Sequence, residues 1–140
     1  MKKNIFKFII CICALSIFAF VSCKSENKLI GNWSTKEFIY NNNSQNVIES
    51  NLVIFKENGK YFIGGNSGLN SYNAPIKFID NKITVSENFA LTKMAGSPEQ
   101  MDYEEIFIKT LATCDTFILE NNTLTIFNSK ENAKIIFIKK

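Results

Sequence analysis

The sequence predicts an α+β fold: an antiparallel sheet of hairpins with one main helix packed on it. Three observations carry this. Short apolar runs are separated by turn-forming pairs, Asn58-Gly59, Asp80-Asn81 and Asn121-Asn122, and such residues favour tight hairpin connections. A single segment, Ser97 to Cys114, repeats apolar residues at helical spacing. The order strands, helix, strands places the helix on one face or end of an antiparallel sheet.

Residues 1–22 read as a targeting segment and stand outside the fold. Met1-Lys2-Lys3-Asn4 is basic, Lys7 follows, and an apolar run extends from Phe8 to Val21, broken only by Ser16. The run is too short for a spanning helix. Phe20-Val21-Ser22-Cys23 then has the layout of a lipobox, with a small residue before the cysteine and Phe20 where Leu is usual. The expectation is a bacterial lipoprotein cut before Cys23, with lipid on its thiol (palmitate among the acyl chains). Two or three chains hold a protein on a membrane where one does not. Residues 23–28 read as a lipidated tether and residues 29–140 as the domain.

Within that domain, Leu29 to Tyr40 opens the sheet, with Trp33 and Phe38 as apolar anchors, and Asn41 to Asn46 is a polar break. Leu52 to Phe55 and Tyr61 to Ile63 form the first hairpin. Ile76 to Ile79 and Ile83 to Val85 form the second, where Lys82, Thr84 and Ser86 alternate with buried positions. The helix starts at Ser97 as N-cap, with Pro98 at its first position and Gln100 completing a capping box. Tyr103, Phe107, Leu111 and Cys114 form its apolar stripe, so Cys114 reads as a core contact rather than a reactive thiol. Glu104 and Glu105 are adjacent on the helix and point apart, so they read as a solvated face. Thr116 to Leu119, Leu124 to Phe127 and Ala133 to Ile138 complete the sheet.

Charge and composition exclude several functions. Lys2, Lys3 and Lys7 belong to the targeting segment, which leaves 13 Lys against 13 Asp plus Glu and no Arg. A neutral chain without Arg is a poor partner for nucleic acid, where Arg supplies bidentate contacts. The absence of His removes Ser-His-Asp and Cys-His catalysis and the commonest metal ligand. Cys114 alone remains as a thiol ligand beyond Cys23, so neither a metal nor another cofactor is expected.

Three stretches together resemble the META domain family, which includes the heat-shock protein HslJ and related envelope lipoproteins. Leu29-x-Gly31-x-Trp33 is similar to the family's opening motif. Gly65 to Tyr72 resembles its Gly-Cys-Asn-x-Tyr loop, and Thr92-Lys93-Met94-Ala95-Gly96 resembles its Thr-x-Met-Ala-Cys segment before the helix. The resemblance runs from Leu29 to Lys139 and implies a curved, partly barrel-like sheet. Both family cysteines are replaced here, by Leu69 and Gly96. The resemblance implies that they form a disulfide in relatives, and losing both avoids an orphan thiol.

The resemblance singles out Asn66, Gly68, Asn70, Tyr72, Thr92 and Met94. A Gly-rich loop with amide side chains could hold a small polar ligand. The structural reading is preferred: Gly68 permits a positive backbone angle, Asn70 caps a turn, and Thr92 and Met94 lock the loop. The expected function is that of a non-enzymatic binding or stress-response lipoprotein. It would sit in the bacterial envelope, at the outer membrane or facing the periplasm, as a monomer with an envelope protein as candidate partner. The alternative is a small-ligand or peptide binder using the concave face of the sheet.

Overall fold

The structure is a computed structural model that describes residues 22–140, with side chains from Glu26 onward. The expected targeting segment up to residue 21 and the side chain of Cys23 lie outside the described residues. The first element among the described residues is a helix, α1, Ser22–Leu29. The segment expected as a tether is therefore largely helical. The indole Nε1 of Trp33 donates to the carbonyl of Leu29 at 2.8 Å, which ties the end of α1 to the first strand.

Ten strands follow in chain order: β1 Gly31–Tyr40, β2 Asn43–Ser44, β3 Asn51–Glu57, β4 Lys60–Asn66, β5 Ser71–Ile79, β6 Lys82–Val85, β7 Ala90–Leu91, then β8 Thr116–Glu120, β9 Thr123–Asn128 and β10 Ala133–Lys139. Helix α2, Pro98–Ala112, separates β7 from β8. All three expected hairpins form, as β3–β4, β5–β6 and β8–β9. Their turns begin at Asn58, Asp80 and Asn121, each with positive φ, at 49°, 54° and 53°. Asn and Asp tolerate that region better than other side chains. The polar break after β1 is also a tight turn, with Asn41 and Asn42 at φ 50° and 62°. It sends β2 back along the end of β1.

The sheet does more than curve. Strand β10 pairs with β1 along Trp33 to Ile39, so β1, β3, β4, β5, β6, β8, β9 and β10 close into an eight-stranded antiparallel barrel. Closure removes the free edges that an open sheet would leave. The fold is thus mostly sheet, with α2 packed against it. Trp33 and Phe38 are both fully buried although five residues apart, and simple alternation would put them on opposite faces. An extra residue between Thr35 and Glu37 shifts the register, and this bulge turns both rings inward.

Trp33, Leu52, Ile54, Ile63, Ile126, Ile135 and Phe137 are each 1 % exposed or less and fill the interior. The concave face proposed from the sequence as a ligand surface is therefore occupied by packed side chains, because eight strands leave an interior about wide enough for them. Helix α2 lies across one opening of the barrel. Phe107 meets Phe38 of β1, Tyr72 of β5 and Phe137 of β10 in edge-to-face contacts of 5.9, 6.1 and 6.5 Å. Strands β1 and β5 are separated by β3 and β4 around the barrel, so one ring spans the opening.

Candidate functional site

Beside α2, the chain between β4 and β5 meets the chain between β7 and α2. Loop residues 67–70 carry two polar side chains that the fold takes fully out of water: Ser67 is 0 % and Asn70 2 % exposed. Burial of amides is tolerated only when each group finds a partner, and here each does. The Asn70 side-chain oxygen accepts from Thr92 Oγ1 at 2.9 Å and from the Met94 N–H at 2.7 Å. The Asn70 side-chain nitrogen donates to the Met94 carbonyl at 3.1 Å and to Glu104 Oε1 at 2.9 Å. Its backbone N–H donates to Glu104 Oε2 at 2.9 Å and to Ser67 Oγ at 3.0 Å.

The rest of the motif supports that centre. Asn66 accepts from the Gly68 N–H at 2.7 Å through its side-chain oxygen, a bend across Ser67 of the kind Asn forms with backbone two residues on. Gly68 has φ +96°, and an added Cβ would meet Ile48 at 2.9 Å, so glycine is required for both angle and space. Tyr72 donates to the Asn51 carbonyl at 2.8 Å, and burial, then the neighbouring Tyr103, holds its phenol pKa well above the usual value. Thr92 also accepts the Ser71 N–H at 3.0 Å. Met94 takes part through its backbone only, its side chain being 60 % exposed. The six residues singled out in the sequence are thus brought together, and the arrangement is a lock between two loops.

Two members were not legible in the sequence. Glu104 was read as part of a solvated face, yet it is half-buried and accepts from Asn70 twice and from Ser67 Oγ. Its neighbour Glu105 is exposed, as expected. Asn51 joins from β3: its side-chain oxygen accepts the Asn66 N–H at 2.6 Å. A further line of hydroxyls runs from Thr35 through Ser50 to Tyr103, at 2.8 and 2.9 Å. The one available signal for Glu104 was its place next to Tyr103 on the inward face of α2.

The positions that the resemblance pairs as cysteines touch. A Cβ added at Gly96 would lie 2.7 Å from a Leu69 methyl, so Leu69 fills the space where the relatives' bridge would run. Cys114 is 6 % exposed, and burial, then Asp115, pushes its thiol up to about 12. It is packing, as its place on the stripe suggested. No group of His, Cys, Asp and Glu among the described residues is arranged to hold a metal ion.

An open groove lies over the lock, between residues 91–95 and α2, where Asn70, Thr92 and Glu104 line it together with the apolar side chains of Leu69, Leu91, Met101 and Ile108. Met94 and Met101 are 60 % and 50 % exposed.

Comparison with known proteins places these features in a family. The sequence model described as the META domain matches residues 28–140. The NMR structure of a protein from Burkholderia xenovorans is similar, with TM-score 0.70 and 15 % identity over 84 % of this chain and 87 % of that one. So is the crystal structure of a DUF4847 family protein from Bacteroides vulgatus, with TM-score 0.59 and 16 % identity over 84 % and 97 %. No curated protein matches the chain.

Proposed function

The chain belongs to the META domain family, and from that premise we propose that it is a lipid-anchored protein of the bacterial envelope whose domain works without catalysis, as a binding or stress-response module of the HslJ kind. The observation that carries the non-catalytic reading is the closed hydrogen bonding of the family motif. Asn70, Thr92 and Glu104 spend their polar atoms on one another, so the motif maintains loop geometry rather than presenting groups to a substrate. The anchor rests on the basic start, the apolar run and Ser22-Cys23.

Replacing Cys23 with Ala tests the anchor. The variant should leave the membrane fraction or stay unprocessed, and unchanged attachment and mature mass would refute it. A second reading has one observation in its favour. The groove beside Met94 and Met101 is apolar and open, and methionine surfaces adapt to varied peptide side chains. A photocrosslinker at residue 101 of the lipidated protein should capture an envelope protein under stress, and Met94→Ser should weaken that capture. A crosslink unaffected by residue 94 would set this groove aside.

A further inference from the structure

The end of the barrel opposite α2 has its own composition. The turns at Asn58-Gly59, Asp80-Asn81 and Asn121-Asn122 all lie there, because β4 pairs Tyr61 with Ile76 of β5 while Asn66 meets Ser71 at the α2 end. Ile79 is 70 % exposed beside its turn, more than any other large apolar side chain among the described residues. Tyr61 and Phe78 are half-buried next to it, in edge-to-face contact at 5.4 Å. Lys56 lies over the Tyr61 ring at 4.8 Å, and Lys60 and Lys77 line the same surface as Ile79.

Helix α1 is fastened to this end. The Tyr61 hydroxyl donates to Glu26 at 3.1 Å, Lys139 Nζ donates to the Lys28 carbonyl at 2.8 Å, and Leu29 is 1 % exposed. Six helical residues from Leu29 back to Cys23 span only about 9 Å. Acyl chains on Cys23 would therefore emerge near Tyr61, at the same end of the barrel as Ile79, with little slack for the barrel to turn away. Charge favours the same orientation. Helix α2, at the far end, carries Glu99, Asp102, Glu104 and Glu105 against Lys109 alone, whereas Lys56, Lys60, Lys77 and Lys82 stand with Glu57, Asp80 and Glu120 around the turns.

We propose that this end of the barrel rests on the lipid headgroups of the bilayer that holds Cys23, with Ile79 and the Tyr61–Phe78 pair at the interface and α2 facing away. The proposal rests on the anchor reading above and adds an orientation to it. A lone isoleucine beside aromatic rings suits the headgroup boundary, where amphipathic rings collect and lysine stems reach outward to phosphate. The anchor supplies the attachment, so the surface need only set the angle. Anionic lipid attracts lysine and repels the acids of α2.

The test uses the lipidated mature protein in vesicles of phosphatidylethanolamine and phosphatidylglycerol. Ile79→Cys and Met101→Cys, both at exposed positions, are labelled separately with an environment-sensitive fluorophore. The Cys23 thiol is consumed by lipid and Cys114 is buried. At residue 79, iodide quenching should fall several-fold on reconstitution and brominated lipid should quench; at residue 101 neither should change. Residue 79 as open to iodide as residue 101, on protein whose N-terminal mass shows the lipid, overturns the orientation alone. An unmodified Cys23 overturns both it and the anchor.

Discussion

The Asn70 side chain makes four hydrogen bonds, to Thr92, Glu104 and both backbone groups of Met94, so its substitutions separate shape from charge. Asn70→Ala leaves the Met94 N–H and the Glu104 carboxylate short of partners and should cost about 2–4 kcal/mol. Asn70→Asp keeps the shape but sets a second carboxylate against Glu104, 2.9 Å away in the native pair, and should cost more at neutral pH. Urea unfolding of the two variants checks the order. If the Asp variant is the more stable, the carboxylate of Glu104 is not what the amide serves. Asn70 was legible as a turn residue in a family motif. Glu104 was not, because its partners are more than thirty residues away in sequence and a lone glutamate on a helix reads as solvated.

The elements divide into those fixed locally and those fixed by neighbours. Helix α2 is local: Ser97 accepts the Gln100 N–H and Gln100 accepts the Ser97 N–H, the capping box that its sequence announces. Ser97→Ala should destabilise by about 1 kcal/mol, read by the same unfolding assay. The seam between β6 and β8 is the opposite case. It holds one registered pair, Lys82 with Thr116, whereas β4 and β5 pair continuously from Tyr61 to Asn66. Local opening follows the weakest hydrogen-bonded boundary, so amides of β6 and β8 that face the seam should exchange with deuterium before those between β4 and β5. Equal protection would mean that the barrel opens only as a whole.

For the whole molecule, the titration of buried groups sets the stability profile. Without His, no side chain of ordinary pKa titrates near neutrality, and stability should be flat from about pH 6 to pH 8. Burial raises the phenols of Tyr72 and Tyr103, and burial then Asp115 raises the thiol of Cys114. A raised folded-state pKa gives stability that is full below the unfolded value, about 10 for a phenol, and lost as the pH climbs toward the folded one. Denaturant midpoints should therefore fall between about pH 8 and pH 11, and Tyr72→Phe should blunt the fall. An unchanged alkaline slope in that variant would assign the loss elsewhere.

What the sequence determined by itself is short-range. Hairpin turns need φ above zero and announce themselves as Asn and Asp. The helix announces its cap and its stripe from Tyr103 to Leu111. The tertiary structure decided what depends on residues far apart. Strand β10 closes on β1 across about a hundred residues, which completes the expected partly barrel-like sheet into a closed barrel and fills its concave face. The same packing drew Glu104 into the loop lock, wound the expected tether into α1, and set that helix against Tyr61. Pairing and burial of this kind leave no periodic trace, since each depends on which surfaces meet rather than on spacing along the chain.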